Sequence, residues 1–154
     1  MDTKMNIKIK KLHPDAIIPK YATKGSACFD LHACLNDDEV YISSHSDYYK
    51  AYAVIDTWLA FEIPEDYVML VYSRSGHAFK NNVRLANSVA VIDSDFRGSV
   101  KVKLTADEDG CLQVKHGDRI AQAMIIPINQ VEFEEVSELS ETERGQGGFG
   151  STGK

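Results

Sequence analysis

Alternation with a period of two runs through most of this chain and dictates the fold class before any motif is read. NIKIKKL near the start, then AYAVIDTWLAFEIP, YVMLVYS, VAVID, SVKVKLTA, AMIIPI and VEFEEV, put apolar and polar side chains on opposite faces of extended backbone. Turn residues separate these runs at Ile63-Pro64-Glu65-Asp66, Asp93-Ser94-Asp95, Asp107-Glu108-Asp109-Gly110 and His116-Gly117-Asp118. Many short strands at regular spacing predict a sandwich, jelly roll or barrel. One segment departs from the pattern. GHAFKNNVRLAN, Gly76 to Asn87, has Phe79, Val83 and Leu85 or Ala86 on one side of a short helix.

Charge narrows the partners. The 154 residues carry 17 basic and 23 acidic side chains, a net charge of −6. A general nucleic-acid or anionic-membrane binder needs a basic footprint, so both classes are excluded. A small anion remains open, because a few placed arginines and N–H groups outweigh overall charge locally. Cys28, Cys34 and Cys111 are odd in number and form no C-x-x-C pair, which argues against a disulfide framework or zinc site. The N-terminus is charged where a signal peptide is apolar, and no apolar run approaches the ~20 residues of a span. A soluble, cytoplasmic protein is expected, or one of host cytoplasm if viral.

From Glu132 the character changes: glutamates crowd residues 132–143, and glycines follow Arg144. A rigid domain over 1–138 and a glycine-rich arm over 139–154 are expected. The arm reads RGQGGFGSTGK, and glycines lose much backbone entropy on ordering. It either never orders or orders when a ligand holds it. It is not a Walker A loop, since Lys154 follows Ser151 and Thr152 instead of preceding them. Its glycines, hydroxyls, Arg144 and single ring, Phe149, still suit phosphates and a base.

Three internal windows carry polar chemistry. Ser73 to Gly76, SRSG, joins a strand to the helical candidate: Arg74 offers a fork for phosphate oxygens, Ser75 a hydroxyl, Gly76 close approach. Equally, Ser75 caps a helix and Arg74 pairs with a surface acid. In VIDSDFRG, Asp93 ends an apolar strand, either as a turn residue or as a base for water. In GDRIAQ, Asp118 and Arg119 suggest an ion pair. Gln122 shares a face with Ile120 and needs a partner, in the protein or a ligand.

Taken in order, YATKGSACFDLHA (Tyr21–Ala33), YSRSGHA (Tyr72–Ala78), NSVAVIDSDFRG (Asn87–Gly98), GDRIAQAMI (Gly117–Ile125) and RGQGGFGSTG (Arg144–Gly153) resemble the five ordered motifs of the trimeric dUTP pyrophosphatases. The resemblance implies an all-β, distorted jelly-roll (β-clip) subunit with one short helix, in a homotrimer with exchanged C-terminal arms. It implies hydrolysis of dUTP to dUMP and pyrophosphate with Mg²⁺, lowering dUTP and supplying dUMP for thymidylate synthesis. Asp93 matches the water-activating carboxylate directed at the α-phosphorus. Asn87 matches the reader of the uracil edge, with backbone near Ala90 and Lys101, and Phe96 the ring on the sugar. Arg74, Ser75 and Gly76 match the phosphate loop, assisted by Gln122. Arg144, Ser151 and Thr152 match arm contacts to the γ-phosphate, with Gly150 beside them, and Phe149 the ring over uracil. Asp30 matches the acid that supports Mg²⁺ through water.

Departures from the pattern are Cys28 and Ala90 for glycine, Ser73 for proline, Phe96 for tyrosine and Trp58 for glycine. Ala90 adds a methyl beside the base slot; Trp58 is expected to pack within a sheet. The related dCTP deaminases need a glutamate about where Lys103 stands, which speaks against that chemistry. A reading from another class is a nucleotide-responsive protein that signals to a regulatory protein partner when dUTP binds. The stretch from Asn36 to Tyr52 suggests only a longer hairpin.

Overall fold

Among the described residues, 5–36 and 39–148 of a computed structural model, the alternation becomes eleven short strands and one helix. In chain order these are β1 (Lys8–Lys11), β2 (Phe29–His32), β3 (Val40–Ser43), β4 (Tyr52–Asp56), β5 (Leu59–Glu62), β6 (Tyr67–Tyr72), α1 (Ser75–Asn81), β7 (Val83–Leu85), β8 (Val89–Ile92), β9 (Lys101–Ala106), β10 (Cys111–Val114) and β11 (Arg119–Pro127). The chain is an all-β jelly roll. Its sheets run β2-β11-β6-β8 and β4-β9-β7, with the pairs β1-β5 and β3-β10, all antiparallel. Leu31, Met69, Val71 and Ile120 from the four-stranded sheet share one buried cluster with Ile55, Leu85, Val102 and Leu104 from the three-stranded sheet. Each such side chain contributes about 1.5–3 kcal/mol of burial. No helix of the described residues is long and apolar enough to cross a membrane.

Three segments differ from the sequence expectation. AYAVIDTWLAFEIP is two strands, because Trp58 turns the backbone into the left-handed region at φ 51. The Trp58 amide donates to Asp56 Oδ1 at 2.7 Å, and buried Thr57 donates through Oγ1 to the Val100 carbonyl at 2.7 Å. Glycine would adopt this φ freely, whereas tryptophan is strained there by about 1–2 kcal/mol. The ring is not inside a sheet; it rests at the surface against His13, with centroids 5.9 Å apart. The helix stops at Asn81: Asn82 takes φ 50 as its left-handed cap, and β-branched Val83 starts β7. Val83 and Leu85 are therefore buried strand residues, while Phe79 faces solvent. VEFEEV forms no strand. Residues 128–148 lack regular structure, and Val131 and Phe133 stand exposed with no neighbouring strand to complete a ladder.

Within residues 36–52, β3 pairs with β10 and only its end meets the returning chain, through Ser43 N–H to Lys50 C=O at 3.1 Å. Tyr41 and Tyr49 stack there at 5.0 Å.

Candidate active site

The SRSG loop is built by strand register. β6 lies between β11 and β8, so the chain leaving Tyr72 emerges beside Gln122, the Tyr72 partner on β11. Gln122 Nε2 donates to the Ser73 carbonyl at 2.9 Å, and Ser73 Oγ accepts the Leu85 amide at 2.9 Å. Serine in place of proline thus ties the start of the loop to β7. Through this one bond Gln122 reaches the loop as a brace for its backbone. Arg74, not Ser75, is the helix N-cap, and its side chain makes no capping bond. The Ser75 hydroxyl therefore does not cap α1 and has no protein partner among the described residues. A Cβ at Gly76 would meet no atom of the chain within 4 Å. The chain's own packing does not require glycine there.

Arg74 is fixed by Asp30 and Arg119, for which sequence reasoning expected other roles, a support for Mg²⁺ and a partner for Asp118. Its Nε donates to Asp30 Oδ1 at 3.2 Å, and Nη1 donates to the Arg119 carbonyl at 3.3 Å. Arg119 Nη1 donates to Asp30 Oδ2 at 3.3 Å, so both Asp30 oxygens face guanidinium groups. Asp118 instead accepts the Lys115 amide at 2.8 Å, and the expected Asp118–Arg119 pair does not form. The Arg74 Nη2 edge has no protein partner among the described residues, and the side chain is 21% exposed. A buffered, oriented cation with one open edge can take an anion's oxygens. Cross-strand register was the available signal: Gln122 lies opposite Asp30, and Arg119 opposite His32.

His32 Nδ1 is the one buried side-chain polar atom without a partner among the described residues. Burial is the main force holding its pKa below the ordinary 6.5; Asp30 opposes this, and Arg119 and Arg74 add to the lowering. The unfolded chain regains the ordinary value, so it binds more protons than the folded one once pH drops below about 6.5. Thermal stability is expected to fall as pH is lowered from about 7 to 5, with His32→Gln flattening that fall in unfolding scans.

A second locus lies in the hairpin from Asn87 to Lys101. Its strands splay: β8 pairs only with β6, while β9 pairs with β4 and β7. Among the described residues no ladder joins β8 to β9, so the backbone edges at Ala90 and Lys101 that face across the hairpin are not paired with each other. Ala90 packs toward the core with Ile92, and Val89 and Val91 face out. Its methyl points away from the solvent face. The Lys101 side chain is drawn to Asp56 at 3.6 Å. Asn87 is exposed, and Ser88 beside it takes φ 61. In the turn, the Phe96 amide bonds the Asp93 carbonyl at 3.2 Å. The Phe96 ring covers Gly98, where a Cβ would lie 2.6 Å from the ring. Glycine is obligatory there while the ring keeps its place.

Asp93 is exposed, and its carboxylate has no partner among the described residues. It borders a groove of about 530 Å³ shared with Glu65, Asp66, Asp95, Tyr67 and Gln130. No cation lines this groove among the described residues, and Glu65, Asp66 and Asp95 join Asp93 there as acids, so these side chains repel phosphate. Asp93 follows Ile92, which pairs with Met69, whereas Arg74 lies beyond the Tyr72–Val89 pair. Six residues of extended chain, roughly 20 Å, therefore separate the two groups along β6. One copy brings together Arg74, Gln122, Asp30, Ser75 and Gly76, and separately Asp93 and Phe96 in the turn after β8, whereas Asn87, just before Val89, lies at the Tyr72 end of the β6–β8 ladder with Ala90 between it and Asp93. One copy does not join the two sets. In the arm, Arg144 Nε donates to the Gly147 carbonyl at 2.8 Å. Phe149, Gly150, Ser151 and Thr152 lie outside the described residues.

A family model described as dUTPase matches residues 14–153. A deoxyuridine 5'-triphosphate nucleotidohydrolase of Nautilia profundicola is 47% identical over 97% of this chain and 100% of its own. The protein of the same description from Helicobacter pylori strain P12 is 43% identical, covering 97% of each. Among solved structures, the dUTPase of Staphylococcus bacteriophage 80alpha, as a G164S mutant with dUpNHpp, superposes with a TM-score of 0.83 at 27% identity. It covers 98% of this chain and 100% of the other.

Proposed function

Because this chain belongs to the dUTPase family, we propose that it hydrolyses dUTP to dUMP and pyrophosphate, in the cytoplasm, within a homotrimer whose sites draw on more than one copy. The observation that carries the reading is the unpartnered Asp93 carboxylate at the tip of a splayed hairpin whose free backbone edges suit a base. Asp93 deprotonates the water that attacks the α-phosphorus, and pyrophosphate leaves with the bonding electrons. Asn87 and the main chain at Ala90 and Lys101 bind the uracil edge; Phe96 packs against the sugar. Arg74, Ser75 and Gly76 receive the phosphates on a loop held by Gln122. Arg144, with Phe149, Gly150, Ser151 and Thr152, closes the site from the arm and excludes water.

Asp30 fits Mg²⁺ only at one remove, because both of its oxygens already face arginines. Asp30 would support such an ion through its waters rather than ligate it directly, and the ion, when bound, would supply neutralisation of charge on the leaving pyrophosphate. Lys103 lies over the Tyr52 ring at 4.4 Å, and a lysine cannot shuttle protons as the glutamate of the deaminases would. Deamination has no support in this arrangement.

Pyrophosphate release from dUTP, dTTP, dCTP and UTP with Mg²⁺ tests the reading. Hydrolysis confined to dUTP is expected, and comparable cleavage of dTTP would overturn the proposed slot. Since the Ala90 methyl packs toward the core, Ala90→Gly is expected to leave the dUTP-to-dTTP preference within about twofold, an ordinary size for a peripheral change. Binding of dUTP without cleavage would favour the regulatory reading, in which the liganded state recruits a protein partner.

A further inference from the structure

We propose that His77 is a positioning residue for Arg74, orienting its guanidinium through a backbone carbonyl that the two side chains share. The inference rests on the reading of Arg74 as a phosphate ligand. The Arg74 carbonyl accepts the amides of His77 and Ala78, each at 3.1 Å, which fixes the arginine backbone at the start of α1. A helical side chain leans back over the preceding turn, so the His77 ring lies beside the side chain three residues earlier. His77 Nε2 is 2.7 Å from the Arg119 carbonyl oxygen, and Arg74 Nη1 is 3.3 Å from the same atom. A carbonyl only accepts, so Nε2 carries the proton and donates it. The 3.5 Å between Nε2 and Nη1 is then a contact of two donors, not a hydrogen bond.

The geometry has a definite consequence. Both lone pairs of the Arg119 oxygen are used, one by each side chain. With Nε held by Asp30 and Nη1 by that oxygen, the guanidinium plane is set and its Nη2 edge points outward. An arginine oriented in advance loses less freedom when a phosphate arrives. Nothing in α1 is buried, so the His77 ring does not hold up the core, and its loss separates positioning from folding.

The test compares His77→Leu, His77→Gln and Arg74→Gln in the full chain. Binding of the imido analogue dUpNHpp, KM and kcat for dUTP, and thermal unfolding are measured for each. His77→Leu removes the donor and is expected to weaken analogue binding and raise KM about five- to tenfold, the scale of one hydrogen bond, with unfolding temperature unchanged. His77→Gln, which places an amide N–H near the Nε2 position, is expected to recover most of that loss. Wild-type binding by His77→Leu, or a glutamine variant as weak as the leucine one, overturns the proposal while Arg74→Gln still binds poorly. If Arg74→Gln itself binds like the wild type, the phosphate reading of Arg74 is what fails.

Discussion

Asp93→Asn is expected to reduce pyrophosphate release from dUTP by about a hundred- to ten-thousandfold, the range for a lost general base. Binding of dUpNHpp should persist. The amide keeps the shape of the carboxylate but cannot take a proton from water. Because Asp93 is exposed and its carboxylate has no protein partner among the described residues, the exchange removes no interaction from the fold. An unchanged unfolding temperature alongside lost turnover would therefore locate the defect in chemistry. Asp95 supplies the control, being an acid of the same turn that also borders the groove. If general negative charge were what mattered, Asp95→Asn would impair turnover equally. Retained turnover in Asp93→Asn would remove the base from the mechanism altogether.

Period-two alternation made most strands legible, because a residue's face in a sheet follows from its place in the sequence. The failures came where pairing or torsion decided the outcome. Nothing in AYAVIDTWLAFEIP signals that a tryptophan would hold φ 51, since a side-chain pattern does not report a backbone angle. VEFEEV alternates as a strand should, yet alternation supplies only faces; a strand also needs a neighbour for its N–H and C=O groups. For the site, order along the chain identified Asp93, Arg74 and Gln122 as candidates. His77 and Arg119 were missed because their importance is lateral. Arg119 acts partly through its carbonyl, which any residue would provide, and His77 matters only because β11 delivers that carbonyl beside α1. Sequence motifs identify side chains that touch ligand better than those that orient them.

Mixing two inactive variants is expected to restore activity. Asp93→Asn keeps the arginine loop, and Arg74→Gln keeps the carboxylate. Asp93 and Arg74 occupy opposite ends of the β6–β8 ladder in one copy, so a triphosphate bound at Arg74 cannot present its α-phosphorus to Asp93 of the same chain. Rigid strands between them forbid local closure. On the proposed reading, a complete site takes its base from one copy and its arginine from a neighbour, as a closed ring of identical subunits permits. If the two variants are unfolded together in equal amounts and refolded, each required group is intact at half of the positions. About one quarter of wild-type turnover should return, because the two draws are independent in a head-to-tail ring. Had both groups come from one chain, every site would carry one lesion and mixing would restore nothing. Arg74→Gln suits the second variant because Asp30 retains Arg119 as its ionic partner when the Arg74 charge is removed.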